Sequence, residues 1–206
     1  MAVSVVPCPV GVLQTTCYLV WDPATARGVC IDPGDEPQVL MGAIRKAGFE
    51  PTGILLTHAH FDHIRAVGPL ARHFDIGVAL HAGDHGLYAS PDNAFPPWIP
   101  AAEDLPEPGD QFTALTDLPF TVFHTPGHSP GSVCLYLPQD DVLFSGDTLF
   151  QGAVGRTDFP GGNMDELVRS ISTQLYTLPD TIRVYPGHGE ETTLGVEKLT
   201  NPFVRL

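Results

Sequence analysis

Thr57-His58-Ala59-His60-Phe61-Asp62-His63 puts three imidazoles and a carboxylate on one short stretch, directly after the apolar run Gly53-Ile54-Leu55-Leu56. Imidazole nitrogen and carboxylate oxygen form a donor set for zinc and other first-row divalent ions. On extended backbone alternate side chains share a direction. His58 and His60 can therefore point the same way, whereas the adjacent Asp62 and His63 cannot both do so. Two neighbouring metal positions are the expectation. A solvated polar loop would explain one histidine more readily than it explains donors packed this densely. Two ions need more ligands than this loop supplies, so further donors must come from elsewhere.

Three other apolar runs end in such a donor. Phe120-Thr121-Val122-Phe123 leads to Pro126-Gly127-His128, Val142-Leu143-Phe144 to Gly146-Asp147, and Ile182-Arg183-Val184-Tyr185 to Gly187-His188. Glycine precedes the donor each time, which permits a sharp turn and close backbone approach at a sheet edge. The set His58, His60, Asp62, His63, His128, Asp147 and His188 suffices for two ions with a shared carboxylate and an open position for water.

The elements that must position these donors follow from periodicity. Strands are expected at Val3 to Val6, Val12 to Trp21 and Gly28 to Ile31, then a helix that starts with a capping-box-like Asp35 and Gln38, carries Pro37 in its first turn and stops at Gly48. After the strand Gly53 to Leu56, a helix from about His63 to Phe74 presents Ile64, Val67, Leu70, Ala71 and Phe74 on one side. A short strand at Ile76 to Leu80 precedes a proline-rich loop, Tyr88 to Gly109, that could border a cleft or pack as ordered surface. Strands are then expected at Gln111 to Leu115, Phe120 to Phe123, Ser132 to Leu137 and Val142 to Phe144. A helix capped by Asn163 runs toward Pro179, followed by a strand at Thr181 to Tyr185 and a short helix around Thr193 to Thr200. This order fits two sheets covered by helices, an α+β αββα sandwich, better than a doubly wound parallel sheet.

The 206 residues suit one domain with a substantial core, with 43% hydrophobic and 17% charged residues. Ten Lys and Arg against 24 Asp and Glu give a net charge of −14. Nucleic acid is thereby disfavoured as a partner, because phosphate binding needs a basic surface. No apolar stretch reaches the length of a membrane span, and the start Met1 to Cys8 lacks a secretory signal, so the expected location is the cytoplasm with no membrane partner. Cys8, Cys17, Cys30 and Cys134 fall singly beside apolar runs without CxxC spacing, and read as reduced thiols.

The histidine motif, Thr125-Pro126-Gly127-His128-Ser129-Pro130-Gly131-Ser132, Ser145-Gly146-Asp147-Thr148-Leu149-Phe150 and Pro186-Gly187-His188-Gly189 together resemble the metallo-β-lactamase superfamily, and within it the short, glyoxalase II-like hydrolases. The resemblance spans 1–206 as one domain, without the C-terminal helical glutathione-binding domain of the larger glyoxalase II enzymes. It implies a first metal on His58, His60 and His128, a second on Asp62, His63 and His188, and Asp147 as the bridge, with Asp32 in the turn beneath. Zinc is the first expectation for the two divalent ions, and iron or manganese also suits these ligands. The implied activity is hydrolysis of S-D-lactoylglutathione or a related hydroxyacyl thioester by water activated between the ions, with Asp62 as the catalytic orienting group. Arg156 stands where a basic residue helps hold glutathione in the larger enzymes; the alternative is a buried salt bridge with Asp158. Those enzymes have tyrosines where this chain has Asp158 and Glu190. His73, His81, His85 and His124 match no ligand position, and His124 is placed to brace the His128 loop. The competing reading, a single-iron persulfide dioxygenase, shares His58, His60, His128, Asp147 and the Gly155-Arg156-Thr157-Asp158 stretch; a lactonase is a more distant alternative.

Overall fold

The structure is a computed structural model and describes residues 2–205. Two five-stranded sheets stack face to face. The first is built in the order β1 (Ser4–Val10), β2 (Thr15–Asp22), β3 (Arg27–Ile31), β4 (Glu50–Leu55) and β5 (Gly77–Ala79). The second runs β12 (Thr192–Thr193), β11 (Arg183–Pro186), β8 (Val142–Gly146), β7 (Val133–Leu137) and β6 (Thr121–His124). A small ribbon of β9 (Leu149–Phe150) and β10 (Ala153–Val154) lies beside the second sheet.

Alternation along each strand sorts the side chains into three apolar layers. Tyr18, Val20, Ile31 and Leu55 of the first sheet meet Val133, Leu135, Phe144 and Tyr185 of the second between the sheets. Their neighbours Leu19, Cys30 and Ile54 face outward onto α1 (Pro37–Ala47) and α3 (Val67–Phe74) through Leu40, Ile44 and Leu70. On the far side Cys134, Leu143 and Val184 meet α5 (Met164–Ser170) and α6 (Leu194–Thr200) through Leu167 and Leu194. The expected αββα sandwich is the observed fold. Among the described residues, no helix is long and apolar enough to cross a membrane.

Four expectations about individual elements are corrected. Residues 112–115 form a single 3-10 turn, Phe112–Leu115, because Leu115 folds over Gly53 and Gly77 instead of pairing as a strand. The hairpin tip Gly11 to Gln14 is a turn, so the second strand begins at Thr15 and not at Val12. Asp35 does not cap the first helix: its carboxylate takes Arg65 at 3.0 Å and the Glu36 N–H, and Pro37 opens the helix behind a left-handed Glu36. The expected helix 63–74 is two, α2 (Phe61–Ile64) and α3, since the N–H groups of Arg65 and Ala66 donate outside the helix to Gly34 and Pro33 carbonyls. The Asn163-capped helix is confirmed, with a wider turn at Ile171–Leu175 that carries Ile171 and Leu175 back into the core.

Candidate metal centre

The donors arrive on four loops at one edge of the sandwich. The β4 loop brings His58 and His60, and its continuation into α2 brings Asp62 and His63. The loops after β6, β8 and β11 bring His128, Asp147 and His188. Two backbone hydrogen bonds between sheets lock this edge, Val133 N–H to the Thr57 carbonyl and Thr16 N–H to the Gly187 carbonyl, both at 2.8 Å.

The outer nitrogen of four imidazoles is occupied, which fixes what the inner nitrogen offers. Nδ1 of His63 donates to Asp32 Oδ2 at 3.0 Å, that of His128 to the Arg156 carbonyl at 2.7 Å, and that of His188 to the Leu13 carbonyl at 3.2 Å. Thr57 Oγ1 donates its proton to Asp32, so its contact with His58 Nδ1 at 3.1 Å makes the imidazole the donor. In their neutral forms all four therefore turn Nε2 inward as a lone pair. Nε2 of His58 and Nε2 of His128 confront each other at 3.2 Å, and His60 Nδ1 stands 2.8 Å from the latter. Two lone pairs at that separation repel, and a cation bound by both removes the repulsion.

Donor atoms of His58, His60 and His128 lie within 4.8 Å of one another, and so do those of Asp62, His63 and His188. Asp147 reaches both groups, with Oδ1 3.4 Å from His63 Nε2 and Oδ2 3.6 Å from His128 Nε2 and 3.7 Å from His188 Nε2. His63 Nε2 and Asp147 Oδ1 are buried without any hydrogen-bond partner. Unpaired buried polar atoms are costly, and here they face each other across the space an ion would fill. Asp32, His58 and His63 also converge, but the Asp32 oxygens already accept the Thr57 N–H, the Thr57 hydroxyl and His63 Nδ1. Asp32 acts by holding His63 and Thr57. The residues fit a pair of divalent ions.

Electrostatics agree with that reading. Burial, then the neighbouring imidazoles, push His58 well below the ordinary histidine value and His60 down to about 3. Burial opposes ionisation of Asp147, yet His63, His128 and His188 overcome it and bring the carboxyl down to about 2. Asp62, buried and held by the Thr15 hydroxyl at 2.8 Å, is likewise lowered, chiefly by His63. Burial opposes charging His63 as well, but Asp62 and Asp147 raise it well above the usual range. The carboxylates draw positive charge into the site.

The glycine before each of the three later donors is required by geometry. A Cβ on Gly187 would overlap Asp147 Oδ1 and His63 Cε1, and one on Gly146, at φ +50°, would overlap Thr57 Oγ1. Gly127 sits at φ +135° against the Leu167 backbone.

Asp84 was not among the expected site residues. It is fully buried and its carboxylate accepts the Ala59 N–H at 3.0 Å, the Ser129 hydroxyl at 2.7 Å and the Gly131 N–H at 2.6 Å. One side chain thus ties the loop between His58 and His60 to the loop that follows His128. Its only trace in the sequence is an acid inside the His81-Ala82-Gly83-Asp84-His85 turn. His124 does brace the second loop, donating from Nε2 to the Pro130 carbonyl at 2.9 Å.

Arg156 lines the cleft over the donors, together with Phe61, Phe95, Phe150, Val154 and Phe159, in a volume of about 420 Å³. Its pairing with Asp158 exists but is not buried: Nε and Nη2 each donate at 2.7 Å, and the two side chains are 56% and 68% exposed. The guanidinium lies 4.1 Å from the Phe159 ring centre. Phe95 brings the 88–109 loop to the cleft, while most of that loop covers a separate cavity of about 750 Å³ away from the donors.

The sequence model described as "Metallo-beta-lactamase superfamily" matches residues 10–188. The chain is 39% identical to a probable metallo-hydrolase, YqgX, of Bacillus subtilis (strain 168), over 95% of both chains. It is 37% identical to hydroxyacylglutathione hydrolase GloC of Haemophilus influenzae (strain ATCC 51907 / DSM 11121 / KW20 / Rd), again over 95% of each. Among solved structures, TTHA1623 in a di-iron-bound form superposes with TM-score 0.88 at 45% identity, covering 97% of this chain and all of that one. BLEG-1 B3 metallo-beta-lactamase gives 0.87 at 38% over 98% and 99%, and ETHE1 from Myxococcus xanthus 0.77 at 31% over 97% and 83%.

Proposed function

The chain belongs to the metallo-β-lactamase superfamily, and from that premise we propose that it is a dinuclear metallohydrolase of acyl thioesters, S-D-lactoylglutathione or a related hydroxyacyl thioester among them. The observation that carries this reading is the joining of two donor triads by Asp147. His58, His60 and His128 would hold one ion and Asp62, His63 and His188 the other, with Asp147 shared. The likeness to hydroxyacylglutathione hydrolase GloC supports the thioester as substrate.

Two bound divalent ions supply a water of lowered pKa and a Lewis acid for the scissile carbonyl. The chain's own residues do the rest. Asp62, fixed by Thr15 and 3.2 Å from His188 Nε2, orients the attacking water. The Arg156 carbonyl and Asp32 hold His128 and His63 at set ring orientations, so the donors need no rearrangement. Phe61, Phe150 and Phe159 give the cleft an apolar lining beside the donors. The acyl C–S bond breaks as a C–O bond forms, and carboxylate, thiol and one proton leave. A thiol of pKa ~8.5 departs without a strong general acid, which suits a cleft that offers no spare acid beyond its ligands.

The persulfide dioxygenase alternative needs one iron and gives Asp62, His63 and His188 no joint task; their convergence favours the hydrolase. Metal-quantified protein given S-D-lactoylglutathione, with thiol release and oxygen followed together and glutathione persulfide in parallel, separates the two. Thiol release with about two metals per chain supports the proposal. Oxygen uptake with one iron and no thiol release overturns it.

A further inference from the structure

A second lobe opens off the metal cleft. It has a volume of about 380 Å³ and adjoins the cleft along His60, Phe61 and Phe159, which line both. Beyond the shared residues its apolar wall is Leu87, Ala94, Pro130 and Pro160. The buried polar groups beside it are engaged within the protein: Asp84 by its three donors, and Asn93 Nδ2 by the Ala59 carbonyl at 2.7 Å. Among the described residues no Lys or Arg lines this lobe, and its rim carries the exposed Asp92. Arg156 lines the metal cleft and not this lobe, with its guanidinium 4.1 Å from the ring of the shared Phe159.

This asymmetry orients a thioester. An anionic carrier such as glutathione would find no Lys or Arg in the second lobe and would face the Asp92 carboxylate at its rim. In the metal cleft the exposed Arg156–Asp158 pair can exchange a partner at little cost, as surface ion pairs are weak. With the carrier there, the acyl group points past His60 into the lobe.

We propose that the second lobe is an acyl site for uncharged, apolar chains, so that the preferred substrates are thioesters whose hydrocarbon or aryl acyl group is larger than lactoyl. The assignment rests on the thioesterase reading above. The test keeps the carrier constant: metal-loaded protein is given acetyl-, lactoyl-, butyryl-, hexanoyl- and phenylacetyl-glutathione, and kcat/KM is measured for each. From acetyl to hexanoyl it should rise about fourfold per methylene, the gain expected when a CH2 leaves water. Gly86 lines the lobe, and a Cβ there meets nothing within 4 Å, so Gly86→Phe adds bulk at the lobe without a clash at Cβ. That variant should bring the hexanoyl-to-acetyl ratio to within about twofold of unity. A flat or falling series in the unaltered protein overturns the acyl site alone, as does a rise that both Gly86→Phe and Ala94→Phe leave intact. Absence of turnover across the whole series overturns the thioesterase reading and the acyl site with it.

Discussion

The Asp84 carboxylate stands 3.0 Å from the Ala59 amide and 2.7 Å from the Ser129 hydroxyl, joining two loops that are 70 residues apart at His58 and His128. Removing it as Asp84→Ala leaves the Ala59 and Gly131 N–H groups buried without acceptors. The expected cost is roughly 3–5 kcal/mol in denaturant unfolding of the metal-free protein, summed from buried unsatisfied groups. Metal bound per chain, by elemental analysis, should fall in Asp84→Asn as well. An Asp84→Ala protein with unchanged midpoint and full metal would show that the clamp carries no strain.

Gly187→Ala tests whether the glycine before a donor is a steric requirement. The added methyl falls on Asp147 Oδ1 and His63 Cε1, so metal stoichiometry should drop by about one ion and kcat by at least tenfold, on the order of a misplaced ligand shell. Gly42→Ala is the control: its Cβ meets nothing within 4 Å inside α1, and it should gain about 0.5–1 kcal/mol.

Acidity should act on the metal-free protein from both sides. His60, lowered to about 3, and His58, also lowered, stay neutral when folded but bind a proton when unfolded below pH about 6.5. Their contribution is full above that value and is lost as pH falls toward 3. His63 and His188 are raised, so their contribution is full below pH about 6.5 and is lost as pH rises through their folded values. Thermal melts of chelator-treated protein should therefore peak near pH 6 to 7. A melting temperature that climbs steadily from pH 5 to 9 would refute this balance.

Arg156→Ala separates the two parts of that residue. The carbonyl that orients His128 survives the substitution, so two metals per chain should be retained. Loss of the guanidinium should raise KM for a glutathione thioester about fivefold, near 1 kcal/mol, with kcat little changed. Equal KM for variant and parent would remove Arg156 from substrate binding.

The donors were legible because each sits at the end of an apolar run, where a short pattern reports both element and turn. Asp32 was legible for the same reason, one residue past Ile31. Asp84 was not: its partners lie 25 to 47 residues away and nothing local distinguishes it from a surface acid. Residues 111–115 look like a strand by composition, but Leu115 is claimed by Gly53 and Gly77. The helix break after Ile64 escaped because the apolar period runs straight through it, while the carbonyls of Pro33 and Gly34 take the amides that would have continued it.

The seven donors belong to neither sheet alone. Four follow β4 in the first sheet, and three follow β6, β8 and β11 in the second. Neither half of the sandwich could retain a pair of ions after the other had moved away. Divalent ions held there would draw on both sheets at once, and by linkage their affinity would add to the stability that the metal-free fold already has.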